Sequence, residues 1–89
     1  MADSGDQGGA GIGPMDFSTF VISLGSSVLI QLGQGEGQPA EGGLELAKQS
    51  IDILTMLEAK TAGNLTDEEA ALLTSVLYQT RMAFVEATR

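Results

Sequence analysis

A chain of 89 residues holds at most one small domain, and a 43% share of hydrophobic residues is too high for a chain disordered throughout. With neither cysteine nor histidine, it has no disulfide to staple a marginal core and no plausible ligand shell for zinc, haem or an iron–sulfur cluster. Twelve acidic side chains against four basic ones give a net charge of −8, too few cations to neutralise a nucleic acid and the wrong sign for an anionic membrane surface. Self-association is the stabilising device left open.

Residues 1–14, MADSGDQGGAGIGP, have glycines and no apolar periodicity, and they read as a disordered tail. The string GAGIG is a linker here, because a phosphate-gripping loop needs a strand before it and no strand can precede residue 9. The first base of the chain is Lys48, whereas Asp3, Asp6 and Asp16 come earlier, which argues against a cleavable export signal, and the absence of cysteine fits a cytoplasmic protein.

From residue 15 the chain is a single small domain, 15–89, and its fold class is all-α. Helix 1 is expected over about 17–32, with Asp16 or Ser18 as N-cap. A second glycine-rich stretch around Pro39 makes 33–43 a flexible linker. Helix 2 follows at about 44–61, with Gly63 placed as a C-cap glycine. The string NLTDEEA then opens helix 3, about 67–88: Thr66 caps it, Glu69 completes a capping box, and Leu65 staples against Ala70. Asp67, Glu68 and Glu69 also sit at the positive end of the helix dipole. Apolar residues recur at spacings of three and four without alternation, so strands are disfavoured. The short link at 62–65 makes helices 2 and 3 an antiparallel hairpin.

All three helices carry more apolar surface than one small chain needs. On helix 1, Phe17, Phe20, Val21, Leu24, Val28 and Leu32 share a face, and Ile22 and Leu29 widen it beyond the stripe of roughly 100° that docking on one neighbour requires. Helix 2 presents Leu44, Leu46, Ala47, Ile51, Ile53, Leu54 and Leu57, with Lys48, Asp52 and Lys60 opposite. Helix 3 has a main face around Leu73, Val76, Leu77 and Phe84, and a second made of Tyr78, Met82 and Val85. Surplus apolar surface of this kind marks an interface.

The densest apolar stretch, MDFSTFVISLGSSVLIQLG, is short for a bilayer. Phe17 to Gly33 makes about 25 Å of helix against a hydrocarbon core about 30 Å thick. Serines, a threonine and Gln31 dilute it, and no flanking base or aromatic belt anchors it. Neither a spanning nor a surface-lying helix is expected, the latter for want of a basic face. Close helix packing accounts better for Ser23, Gly25, Ser26 and Ser27, although Gly25 could instead mark a kink.

No catalytic constellation emerges. The serines have no histidine to activate them, Lys48 and Lys60 fall on the solvent face, and Asp67 with Glu69 is explained by capping. No calcium-type acidic loop is present. Tyr78 and Arg81 read as an interface rim.

MDFSTF, SLGSS, LELAKQSIDIL and KTAGNLTDEE, within a likeness running from Met15 to about Ala87, resemble the small bacterial family known as domain of unknown function 1844. That resemblance implies a bacterial, cytoplasmic, short helical protein, and it brings no activity or catalytic residues. The resulting expectation is a non-catalytic helical protein without cofactor or metal, assembled as a homo-oligomeric bundle, a dimer or a tetramer. Its interface would draw on Phe17, Phe20, Val21, Leu24, Gly25, Val28, Leu32, Tyr78, Met82 and Val85. The alternative is an adaptor whose helix 1 docks on another protein or on a membrane.

Overall fold

The structure is a computed structural model that describes residues 15–33 and 41–89. The tail expected at 1–14 lies outside the described residues, as does all but the ends of the linker expected at 33–43. Among the described residues all regular structure is helical: α1 Phe17–Gln31, α2 Gly43–Lys60 and α3 Asp67–Thr88.

The helix ends follow from local chemistry. Asp16, in extended conformation, accepts the Thr19 N–H at 2.7 Å and so satisfies one of the orphan donors of α1. At the start of α3 the two halves of the capping box are both made. The Glu69 N–H donates to Thr66 Oγ1 at 3.1 Å, and the Thr66 N–H donates to Glu69 Oε1 at 2.9 Å. Helix α2 starts without a side-chain cap, on Gly42, and therefore draws its stability from packing.

One expected role shifts. Helix α2 ends at Lys60 with Thr61 as its C-cap, so Gly63 lies beyond the cap position. Its φ of 87° instead serves a turn closed by the Asn64 N–H donating to the Thr61 carbonyl at 2.9 Å. A left-handed third residue is what a type II turn demands, and glycine adopts it without strain.

Every helix touches the other two, and α1 meets α2 and α3 more extensively than these meet each other. The core falls into two clusters that share the half-buried Ile51. One joins Val21 of α1 to Leu54 of α2 and to Leu73, Val76 and Leu77 of α3. The other joins Val28 and Leu32 to Ala47, flanked by Leu44, Ala83 and Phe84. As residue numbers rise along α1, their partners rise along α3 and fall along α2.

Helix α1 is continuous through Gly25, which therefore marks a close crossing and no break. A Cβ built on Gly25 would lie 2.7 Å from Cγ1 of Val76, so α1 crosses α3 at a distance only glycine permits.

Candidate interaction surface

The residues singled out from the sequence separate into two groups. Val21 and Val28 are fully buried, Gly25 and Leu32 are buried, and Phe17 and Leu24 are half-buried against the first core cluster. These six are engaged by the chain's own α2 and α3. The others face outward: Phe20 is exposed, as are Tyr78 at 67%, Met82 at 43% and Val85 at 48%. The last three are brought together in one row on α3, on the side away from Leu73 and Leu77.

Further exposed apolar residues add to this surface. Ile22 and Ile30 project from α1 and Leu46 and Met56 from α2, with Ile30 at 72% the most open. The helical wheel carries a partial signal for them. Ile30 lies opposite Val21 on α1, and Met56 lies far from Leu54 on α2, positions that cannot join the stripe that fills the core. Between α1 and α3 runs an open groove of about 300 Å³, with Ile22, Ser26 and Leu29 on one wall and Leu72, Ser75 and Gln79 on the other. Its floor is the Gly25–Val76 crossing.

Polar groups near the row make contacts at the surface. The Arg81 guanidinium donates to Thr55 Oγ1 at 2.9 Å, linking the exposed edges of α2 and α3. Thr55 in turn donates to the Ile51 carbonyl, one turn earlier. Glu86 accepts from Arg89 at 3.3 Å. Lys48 and Asp52 form a surface ion pair at 3.6 Å with both side chains 68% exposed, a geometry worth about 0.3–0.5 kcal/mol.

Sequence reasoning missed the burial of two polar side chains. Thr80 is almost fully buried and donates to the Val76 and Leu77 carbonyls of its own helix. Ser50 faces Gln31, at a long 3.5 Å. A threonine that can bond back to the preceding turn does not need water, which is the signal that could have placed Thr80 inside.

Asp16 and Glu69 cap helix starts, and Asp52 and Glu86 pair with basic side chains. The Asp16 carboxyl is held below its ordinary value of 3.8 by the hydrogen bonds from Thr19. No cluster of three or more His, Cys, Asp or Glu side chains capable of holding a metal occurs among the described residues. No helix among them is long and apolar enough to cross a membrane.

The family model described as a domain of unknown function (DUF1844) matches residues 14–86. The chain belongs to the DUF1844 family. The match takes in all three helices short of the last residues of α3, so the core, the Gly25 crossing and the row on α3 are parts of the DUF1844 domain itself. No curated protein and no solved structure matches the chain.

Proposed function

We propose that this DUF1844 protein is a non-catalytic, self-associating helical protein with a structural or scaffold role, bacterial and cytoplasmic. Its three helices would be arranged up, down and up, with α2 and α3 an antiparallel hairpin, and copies would join into a dimer or tetramer. The opposite run of contacts along α2 and α3 supports the hairpin.

A single observation carries the self-association. With the core already filled, Tyr78, Met82 and Val85 still form an exposed apolar row on one helix, and Ile22, Ile30 and Met56 leave further apolar surface open. Burying that surface would release roughly 25 cal/mol per Å². Light scattering on the detergent-free protein, over a range of concentrations, tests the reading. A stable dimer or tetramer is the expected result, and a monomer at every concentration overturns it.

The groove between α1 and α3 favours one alternative, an adaptor that takes a segment of another protein. In that reading the purified chain is monomeric, and substituting Leu29 with Glu at the groove wall abolishes capture of a partner without unfolding the chain.

A further inference from the structure

We propose that the outer face of α3 is a seam for α3 of a second copy of this chain, the two helices running in the same direction. The proposal rests on the self-association above and specifies its surface and orientation.

Spacing comes first. Ala71, Ser75, Tyr78, Met82 and Val85 follow one another at intervals of four, three, four and three residues, and all five are exposed. That alternation is the heptad pattern by which one helix packs along another. It runs on the side opposite Leu73, Leu77 and Thr80, which are committed to the core. Tyr78 supplies a large amphipathic ring and Met82 a side chain that adapts to whatever shape opposes it.

Charge then selects both the occupant and its direction. Arg81 flanks the seam on one side, and Glu86, five positions further along, flanks it on the other. In a parallel pair of helices each flank faces the opposite flank of its partner with this same offset of five. Arg81 of each copy therefore meets Glu86 of the second copy, once on either side of the two-fold axis. An antiparallel pair brings equal flanks together, and Arg81 would find Thr74, Thr88 or another Arg81; it reaches Asp67 only in a register that leaves Met82 and Val85 beyond the start of the partner helix. The pattern is complementary to itself in the parallel arrangement, which is why a second copy is the partner.

Among the described residues each of these two charges makes one exposed surface contact. Arg81 bonds to a neutral hydroxyl at the surface, and Glu86 pairs with Arg89 where the two side chains are 64% and 70% exposed. Exchanging such contacts carries little penalty. The contact is centred on Met82: in a straight helix the seam drifts by about 20° per heptad, so the acidic first turn at Asp67, Glu68 and Glu69 splays away from its counterpart.

Charge reversal on the full chain tests this, read by sedimentation equilibrium at about 0.15 M salt with circular dichroism as the control for folding. Glu86→Arg lowers the net negative charge yet is expected to weaken association about tenfold, because each of two attractions becomes a repulsion. The double variant R81E/E86R restores it. The two single variants, each weakened alone, associate with one another when mixed. A wild-type oligomer that ignores E86R and the mixing overturns the seam and leaves self-association standing. A wild-type monomer at all concentrations overturns both.

Discussion

A methyl group added at Gly25 would sit 2.7 Å from Cγ1 of Val76, closer than carbon atoms approach without movement. Val76 is β-branched and in a helix, so its side chain has little freedom to turn away. Two effects oppose each other. Glycine to alanine at mid-helix gains up to about 1 kcal/mol of helix propensity, while overpacking a filled crossing costs about 1–3 kcal/mol. The clash wins, and Gly25→Ala is expected to destabilise the chain in urea titrations. In a Val76→Ala background the obstructing methyl is gone, and the same substitution becomes neutral or stabilising. Additive effects of the two substitutions would show that the crossing is not as close as described. Asp16 provides a second test at this scale. Its carboxyl is depressed in the folded state, so it stabilises the chain above its ordinary titration range and that contribution is lost as pH falls through the lower, folded value. Thermal melts from pH 7 to about pH 2 should show a smaller acid loss for Asp16→Asn, which keeps a capping oxygen and removes the charge.

Each helix has its own source of definition. The start of α3 is set by local hydrogen bonds, and Thr66→Ala should cost about 1 kcal/mol, visible as a lower urea midpoint with an unchanged slope. Helix α2, uncapped at Gly42, has no equivalent residue to remove. This contrast explains what could be read from the sequence. The capping box, the three helix spans and the closeness implied by Gly25 are local signals, written within a few residues, and each span agrees to within about one residue. Which helix nests against Gly25 is a tertiary fact. The wheel of α1 placed Val21, Val28 and Leu32 on a face needing cover and could not say whether that cover was α3 of the same chain or another molecule. The outer row on α3 was legible because Tyr78, Met82 and Val85 stand apart from the Leu73–Leu77 stripe.

For the molecule as a whole the dominant long-range force is its own charge. Two bodies of −8 whose centres lie about 25 Å apart repel by about 10 kcal/mol unscreened, about 5 kcal/mol at 0.01 M salt and under 1 kcal/mol at 0.15 M. Two contacts between Arg81 and Glu86 contribute about 1 kcal/mol in total, so they cannot offset the repulsion at low ionic strength. Association should therefore strengthen as salt rises from about 0.01 to 0.15 M, the reverse of an interface held by ion pairs alone. Sedimentation across that range would read it directly, and a dimer that tightens on removing salt would contradict the balance.

Because α1 meets α2 and α3 more extensively than they meet each other, it acts as the wedge between them. Were α1 to leave, Leu54, Leu73 and Leu77 would lose Val21 and face water along much of their length. The expected outcome is that no stable two-helix remainder survives and that the chain folds in one all-or-none step. Amide hydrogen exchange should then report one opening event, with protection in the middle of α1, α2 and α3 decaying at the same free energy. If α1 exchanged first while α2 and α3 stayed protected, the wedge would be an attachment and the remaining pair a domain in its own right.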